Sequence, residues 1–518
     1  MSLVSSLNIA QQALAVNQAA ITVVSNNIAN VNNENYSKLK VNLSDIINYT
    51  KLTGSSIAQA ETLSGVQLSK ITRFADEFLE SYYRGENSEL SYLKEYSTIA
   101  TSVQDIMNEL NDTGLTNALL NFYNAANALA DDPTDVTTRQ NYVSCAQTVC
   151  TTFNTVYKSL TQIQQSLVGD YTINGDCDSA EIGTSITQVN SLLDQLSKVN
   201  TNIVKTNSTS TSSNALLDQR DALLEELSTY LPIKTEINAS GTVNIKLGNY
   251  DLIKGNVVKG YLDVTNQGAT ADNPVRIDIV DAEGTPLREN VNNLLNSGTI
   301  GAILTASGPS TSINLTVNNV LASINLLAST FAEQLNSLQA GAKVIDGVNT
   351  YAMCLSDDYT ELVASNESLF LNNNSGTASG ITAGNISVNS ELEEKLYLIA
   401  AGRKTNPADS SDVGNNSNMV QVANTQTNSY LILDNQTFTN YLATKVSGIG
   451  TNVESIDNNV ATQSSVLDSI KAQLASETGV NLDEELGDLI KYQQAYQAAA
   501  RIFSTCSSLM EELIHLAQ

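Results

Sequence analysis

The segment SNNIANVNNENYS, residues 25–37, holds six asparagines in thirteen residues directly after a strongly patterned apolar segment. Asparagine tolerates left-handed backbone, and its side-chain amide closes turns by bonding to nearby backbone. We therefore expect a helix that ends here in a shaped turn, whose amides bond neighbouring backbone or neighbouring subunits. A frayed helix end without a role is the alternative that this stretch alone leaves open.

The residues that lead into this segment predict one long amphipathic helix. Apolar residues recur alternately three and four positions apart, which is the spacing of a coiled-coil seam. Asn17 is the polar exception, a residue type that fixes register in such seams. With Ala10 filling one gap, the predicted N-terminal assembly seam is Leu3, Leu7, Leu14, Asn17, Ile21, Val24, Ile28 and Val31.

The other end of the chain has the same spacing in two further helices. Gly479 is predicted to end the first of them and Asn481 to cap the second. Amphipathic helices are marginal alone in water, so we expect the two chain ends to pack on each other and on copies of the chain. An ordinary intramolecular hairpin of helices is the alternative. The predicted C-terminal assembly seam is Val453, Ile456, Val460, Leu467, Ile470, Leu474, Leu489, Tyr492, Tyr496, Ala499, Phe503, Met510 and Leu513.

Between the two ends, the periodicity predicts a mainly α chain with a β excursion, an α+β multidomain fold. Residues from Gly65 to Leu231 are mostly helical by pattern, whereas residues 233–264 alternate polar and apolar around turns, as a β-meander does. The predicted units are a terminal-helix assembly domain (1–45 with 455–518), a helical domain (46–231 with 310–343 and 391–454), a β-rich domain (232–309) and a small irregular insertion (344–390).

Composition argues against several classes of function. The 26 basic and 54 acidic side chains give a net charge of −28, which repels nucleic acid and anionic lipid. The sequence has one histidine, His515, so catalytic residues that need histidine and multi-histidine metal sites are not expected. The acidic turn NGDCDSAE, residues 174–181, lacks the glycine and glutamate that a calcium loop needs. We therefore predict no catalytic, cofactor-binding or metal-binding residues, no membrane partner and no nucleic-acid partner.

Residues 25–37 resemble a signature of the axial proteins of the bacterial flagellum, which are the rod, hook and hook-associated subunits. The matching positions are Ser25, Asn26, Asn27, Ile28, Ala29, Asn30, Tyr36 and Ser37. The segment GVNLDEELGDLIKYQQAYQAAARIFSTCSSLMEELI, residues 479–514, is similar to the C-terminal signature of the same group. This chain departs from the group at residues 33–35, where Asn-Glu-Asn replaces Thr-Pro-Gly, and in its five cysteines.

Three internal segments resemble the FlgK family of hook-associated proteins more than hook or rod proteins. They are NALLDQRDALLEEL (214–227), LLNSGTIGAIL (294–304) and LLASTFAEQLNSLQAG (326–341). The resemblance implies a structural subunit of the hook–filament junction rather than an enzyme, with paired terminal helices inside, a helical domain around them and a β domain outside. Another flagellar axial subunit (hook or distal rod), or a secreted coiled-coil adhesin or effector, is the alternative.

The same resemblance implies partners and a location. The partners would be copies of the chain in a helical layer, the hook protein on one side, and the next hook-associated junction protein towards the filament. An export chaperone and the export apparatus would handle the unfolded chain. The location would be extracellular, in the flagellum, after export without a cleaved signal peptide.

Overall fold

The computed structural model describes residues 3–33, 36–51, 59–107, 114–208, 214–345 and 347–516. Helices dominate these residues and short antiparallel sheets accompany them, which confirms the predicted fold class. The helices are α1 (Leu3–Ala29), α2 (Glu77–Met107), α3 (Leu115–Asp131), α4 (Val136–Val168), α5 (Glu181–Ser208), α6 (Asn214–Tyr230), α7 (Gly298–Ala306), α8 (Val317–Gln339), α9 (Ser390–Glu394), α10 (Ser417–Asn424), α11 (Phe438–Thr478) and α12 (Leu482–Leu516).

The described strands form five antiparallel sheets. Their orders are β1-β2, β3-β4-β5-β6, β7-β8-β9, β10-β11-β12 with β15 also on β11, and β13-β14. The strands are β1 (Leu39–Lys51), β2 (Gln59–Arg73), β3 (Lys234–Ile237), β4 (Val243–Leu247), β5 (Tyr250–Lys254), β6 (Val257–Val258), β7 (Tyr261–Thr265), β8 (Arg276–Val280), β9 (Pro286–Arg288), β10 (Ala342–Ile345), β11 (Val348–Leu355), β12 (Leu362–Ala364), β13 (Phe370–Asn372), β14 (Ile386–Val388) and β15 (Gly402–Lys404).

Several helices begin at residues whose side chains cap them. The Asp135 carboxylate accepts from the Thr138 N–H at 2.9 Å at the start of α4, and Thr316 forms a reciprocal capping box with Asn319 at the start of α8. Asn481 accepts from the backbone N–H of Asp483 at 3.0 Å, which confirms the predicted cap of α12. These side chains satisfy N–H groups that have no partner inside the helix.

A continuous core joins the helical part of the chain to the strands of the β excursion. The cluster of buried apolar side chains runs from Tyr96 to Ile456 and includes inward positions of β4 and β8. At its centre, Phe331 of α8 contacts the rings of Phe122, Phe370 and Phe438, with centroids 5.4–5.5 Å apart. The strands from β3 to β9 therefore share a core with the helices, although the sequence pattern separates them.

A buried arginine of α4 connects the segment around residues 396–399 to this core. Arg139 of α4 is fully buried, and its guanidinium donates to the backbone oxygens of Pro133, Leu396 and Ile399 at 2.6–2.9 Å. Burial lowers the pKa of Arg139 to about 10. Carbonyl oxygens thus replace water around the buried charge, which offsets its desolvation cost.

The two chain ends meet in what we call the terminal unit: α1, α12 and the hairpin formed by β1 and β2. Helix α1 packs along α12 and also against β2, so it contacts both α12 and the hairpin. Gly65 of β2 has a φ of 116°, and a side chain on it would meet Gln12 of α1 at 2.5 Å. Glycine therefore lets the hairpin lie close against α1.

Helix α11 lies outside this terminal unit and packs along α2. The Gln463 amide donates to the Glu86 backbone oxygen at 3.2 Å, and the Ser97 hydroxyl donates to Asp457 at 2.5 Å, which fixes an antiparallel register. Within one chain α2 therefore buries the apolar stripe of α11, and the assembly domain that includes residues 455–478 stays a prediction.

Two predictions of local structure were wrong. Helix was predicted from Gly65 onward, but residues 65–73 belong to strand β2, whose partner β1 alternates apolar and polar residues from Leu39 to Ser44. Residues 344–390 were predicted to be irregular, yet β11, β12, β13 and β14 lie largely within them. Three of those strands have only three residues, too few for a clear period of two. The eight-residue β11 is buried at four consecutive positions, so its burial does not alternate.

We expect Phe331→Ala to destabilise the helical part of the chain by about 3–5 kcal/mol, because it removes a fully buried ring and leaves a cavity. Urea unfolding followed by far-UV circular dichroism measures the effect. Tyr171→Ala removes an exposed ring and is the matched control. Equal midpoints for the two variants would contradict the central position of Phe331 in the core.

Candidate functional site

Asn27, within the asparagine-rich segment, is fully buried at the end of α1. Its amide nitrogen donates to the Leu39 backbone oxygen at 3.0 Å and to the Glu485 carboxylate at 2.9 Å. Its amide oxygen accepts from the Leu39 N–H at 3.0 Å and from the Tyr36 hydroxyl at 2.8 Å. All four hydrogen-bonding positions of this amide are used, so one side chain joins α1, the hairpin and α12.

Lys38 makes a second connection at the same place. Its ammonium group lies 2.8 Å from the Glu484 carboxylate and 3.0 Å from that of Glu485, and its backbone N–H donates to the Thr478 oxygen at the end of α11. Burial lowers the pKa of Lys38, but hydrogen bonds to the two glutamates outweigh this effect and the pKa is raised. Lys38 therefore remains charged and holds the start of β1 at the break between α11 and α12.

The turn after α1 is closed by backbone and side-chain amides. The Asn30 amide donates to the Asn26 backbone oxygen at 2.9 Å, and the Tyr36 N–H donates to the Asn33 oxygen at 3.0 Å. Residues 34 and 35, the predicted substitutes for proline and glycine, lie outside the described residues. Burial, with the charges of Asp218 and Glu485, raises the pKa of Tyr36 to about 12, so its hydroxyl stays protonated and donating.

A buried ion cluster attaches this turn region to the helical part of the chain. Arg73, the last residue of β2, lies 2.8 Å from Asp218 and 2.6 Å from Asp221, and 3.6 Å from Glu80 of α2. Each aspartate comes from α6. We define the ion cluster as Arg73, Glu80, Arg84, Asp218, Arg220 and Asp221.

The charges of the ion cluster are shifted by burial and by one another. Burial raises the pKa of Asp218 and of Glu80. Burial lowers the pKa of Arg73, but Asp221, Glu80 and Asp218 outweigh it and the pKa is raised. Three arginines face three carboxylates, so the cluster is neutral overall, and removing one member leaves a buried charge uncompensated.

A cavity of about 500 Å³ separates the asparagine turn from the ion cluster. Residues 30–33 line one side of it, while Arg73, Arg84 and Asp221 line another and Thr478 closes the end of α11. Among the described residues, the terminal unit is therefore attached to the helical part through its chain crossings and through polar contacts around a cavity, and the main apolar cluster begins at Tyr96.

The predicted N-terminal seam is only partly buried within one chain. Val24 is buried, whereas Leu3, Leu7, Leu14, Asn17, Ile21, Ile28 and Val31 are half-buried. The most buried line of α1 passes one position earlier, through Val16, Ala20, Val23 and Asn27. The Asn17 amide donates to the Ala13 oxygen of its own helix at 2.7 Å, so its contact in the monomer is local.

The predicted C-terminal seam is divided between two helices. Val453, Ile456, Val460, Leu467, Ile470 and Leu474 lie on α11, where four of them are buried and α2 is the packing partner. Leu489, Tyr492, Tyr496, Ala499, Phe503, Met510 and Leu513 lie on α12, which packs against α1. Of this second group Ala499 is buried, Tyr496 and Leu513 are exposed, and the others are half-buried.

Helix α12 also carries exposed apolar side chains on both flanks of the stripe that faces α1, and we call these its exposed apolar face. Large apolar side chains on it keep between 42 and 56% of their surface exposed. They are Leu482, Leu486, Ile490, Ile502, Leu509, Leu513 and Ile514. Leu482, Leu486 and Ile490 lie together near the start of α12, and Ile502, Leu509 and Leu513 lie together near its end on the other flank. Exposed apolar side chains grouped in this way indicate interaction sites.

The sequence patterns did not identify the residues that pair in the terminal unit and in the ion cluster. Glu485 is buried on the acidic first turn of α12, where the pattern predicts only a favourable interaction with the helix dipole. Arg73 and Asp218 lie 145 residues apart in the sequence. The motif NALLDQRD contains Asp218, Arg220 and Asp221, but its spacing does not indicate which distant residue pairs with them.

Chemistry of other kinds is not indicated in the part of the chain that the structure describes. There, no group of three or more His, Cys, Asp and Glu side chains is placed to hold a metal ion. No described helix is long and apolar enough to cross a membrane.

The terminal unit brings together the SNNIAN and NLDEE segments, which resemble those of bacterial flagellar axial proteins, and comparison with known proteins points to the same class. Residues 474–516 match the family model of the C-terminal region of flagellar basal body rod FlgEFG proteins. Residues 100–351 match the model of the helical domain of the flagellar hook-associated protein FlgK. The two models describe different regions of the chain, and both come from flagellar proteins; the matches support the recognition of a chain similar to the hook-associated protein FlgK.

Full-length relatives and a solved structure agree with this. The chain is 26% identical to flagellar hook-associated protein 1 of Bacillus subtilis, covering 98% of this chain and 97% of the relative. It is 25% identical to the same protein of Salmonella typhimurium, covering 99% and 100%. The hook junction protein FlgK of Burkholderia pseudomallei has the same fold, with a TM-score of 0.58, 15% identity, and coverage of 76% of this chain and 99% of that one.

We expect Asn27→Asp to open the terminal unit, because it places a second carboxylate 2.9 Å from Glu485 and removes two buried donors. An uncompensated buried charge costs about 3–5 kcal/mol. Hydrogen exchange of α1 amides should become faster by a corresponding factor. Asn26→Asp makes the same chemical change at the exposed neighbouring position; if both variants exchange alike, the Asn27 contacts do not hold the unit together.

We expect Arg73→Ala to destabilise the chain more at pH 7.5 than at pH 4.5. Burial raises the pKa of Asp218 in the folded chain above its value in the unfolded chain. The protonated Asp218 therefore favours the folded state at low pH, and this stabilisation is lost as the pH rises through the folded pKa. Without the Arg73 charge, the pKa of Asp218 in the folded chain rises further. The loss of stability with rising pH then becomes larger and extends to higher pH. Urea unfolding at both pH values measures this, with Lys70→Ala, an exposed position on the same strand, as control. An equal deficit at both pH values would refute the charge pairing.

Proposed function

We propose that this chain is a structural subunit of the bacterial flagellum that forms the junction between hook and filament and assembles through its terminal helices. The observation that carries the proposal is the terminal unit itself. The two flagellar signature segments hold each other through Asn27 and Glu485, while α12 keeps an exposed apolar face. A monomer with such a face gains stability by packing it against further subunits.

The proposed partners follow from the similarity to FlgK and from this surface. Copies of the chain form a helical layer, with the hook protein on one side and the next hook-associated junction protein towards the filament. The layer lies outside the cell, and the unfolded chain reaches it through the flagellar export apparatus with a chaperone and without signal cleavage. The name of the Burkholderia relative, a flagellar hook junction protein, supports the position of the layer.

Another flagellar axial subunit, such as a hook or distal rod protein, is the second candidate. The match of residues 474–516 to rod proteins would fit it. The match of residues 100–351 to the FlgK helical domain favours the junction, and a secreted coiled-coil adhesin or effector fits neither match.

Deletion of the gene tests the position in the flagellum. We expect cells with hooks but no filaments, and flagellin shed into the medium, because the filament has no surface on which to start. Electron microscopy of the cell surface and immunoblotting of the medium measure this. Cells that lack hooks, or that keep filaments, would contradict a junction role.

We expect Leu509→Asp to block filament attachment while leaving the monomer folded, because Leu509 lies on the exposed apolar face of α12. Burying an aspartate there between subunits is strongly unfavourable. Swimming in soft agar and the filament count per cell measure assembly, and circular dichroism of the purified chain measures folding. Ser508→Asp adds the same charge at the exposed neighbouring position, and similar motility of both variants would remove α12 from the interface.

A further inference from the structure

An exposed patch of lysines and aromatic rings lies where the hairpin leads into α2. Lys40 and Lys70 are exposed on the hairpin, Phe74 is exposed between the hairpin and α2, and Phe78 and Tyr82 are exposed in the first turns of α2. Lys40 and Asn42 share a face of β1, and Lys70 is the cross-strand partner of Asn42. The Lys40 ammonium group lies 5.7 Å from the centre of the Phe74 ring. We call Lys40, Lys70, Phe74, Phe78 and Tyr82 the lysine–aromatic patch.

The fold of one chain leaves the aromatic rings of this patch exposed to solvent. Phe78 keeps 80% of its surface exposed and Tyr82 keeps 46%, and the two lie one helical turn apart. Aromatic side chains are the main anchors of protein interfaces. Large rings beside lysines therefore indicate a docking surface for a partner that carries acidic groups.

The charge distribution of the chain indicates what that partner is. Residues 38–73 carry five basic and two acidic side chains. Lys38 and Arg73 are already paired with carboxylates of α12 and α6. Lys40 and Lys70, by contrast, are exposed on a chain whose net charge is −28. Copies of such an acidic chain repel one another over most of their surfaces. Side-by-side packing is favoured where the basic segment of one copy meets an acidic surface of the next.

The register of α2 with α11 indicates which acidic surface lies at the matching height. Since Gln463 bonds to Glu86 in an antiparallel pair, Phe78 and Tyr82 are level with the last turns of α11. Exposed Asp468, Lys471 and Glu477 lie in those turns, so two carboxylates accompany one ammonium group there. In a layer of equally oriented copies, surfaces at equal heights meet.

We propose that the lysine–aromatic patch binds the acidic C-terminal turns of α11, around Asp468 and Glu477, in a second copy of this chain. This contact is heterologous, because two different surfaces meet, and it therefore continues from copy to copy around a ring or helix. It rests on the proposed junction role, and it adds a lateral contact separate from the exposed face of α12.

A photo-crosslinking residue at Phe78 tests the identity of the partner. We expect p-benzoylphenylalanine at position 78, in flagellated cells, to give a covalent dimer of the chain whose crosslinked peptide falls within residues 463–478. The same residue at Tyr171, an exposed ring elsewhere, is the control. An adduct with another protein, a dimer joined outside α11, or no adduct above the control would overturn the proposal.

Charge exchange tests the complementarity. We expect Lys40→Glu with Lys70→Glu to reduce the fraction of hooks that carry filaments by roughly tenfold or more, because juxtaposed like charges weaken association steeply. Adding Asp468→Lys and Glu477→Lys should restore filaments. Lys158→Glu with Lys198→Glu changes the net charge equally at exposed positions of α4 and α5. Unchanged filaments in the hairpin variant, an equal loss in the control, or a loss that the exchange does not restore would overturn the proposal.

The two proposals can fail separately. If the deletion leaves filaments attached, the junction role fails whatever the crosslink shows. If the deletion gives bare hooks while position 78 yields no dimer, the junction role stands and the lateral contact fails.

Discussion

The buried amide of Asn27 is the interaction on which the terminal unit depends. It bonds the backbone of Leu39 in both directions and reaches the Glu485 carboxylate, 458 residues away in the sequence. An amide with all four positions satisfied compensates its own desolvation, whereas any substitute would leave buried polar groups unpaired. This geometry places the end of α1, the start of the hairpin and the start of α12 at one point, so the helices run side by side from there.

The ion cluster extends this arrangement to the helical part of the chain. Arg73 ends the hairpin and meets Asp218 and Asp221 of α6, while Glu80 and Arg84 connect it to α2. Charged side chains pair directionally and do not require close packing, so they can join two parts across a cavity where an apolar core could not. The segment that resembles FlgK most clearly by its residues, NALLDQRD, thus has a structural role in holding the terminal unit.

Periodicity predicted the long elements well and the short ones poorly. The cap at Asn481, the break at Gly479 and the β-meander after residue 233 all depend on local chemistry, and each is present. Strand β2 escaped notice because its hydrogen bonds come from β1, a partner that the pattern of β2 alone does not reveal. The apolar stripe of α11 was recognised, but a stripe does not state its partner, and α2 rather than α1 buries it.

The sequence by itself determined the class of protein, since the asparagine-rich segment and the C-terminal signature are local patterns that can be read directly. It also determined that both ends are helical, because a period of 3.5 residues places apolar side chains on one face whatever that face meets. Only the tertiary structure decided which helices pair, that Glu485 rather than a neighbouring acid receives the Asn27 amide, and that Arg73 joins the NALLDQRD segment. These choices depend on distances between residues far apart in the chain, and those distances exist only once the chain is folded.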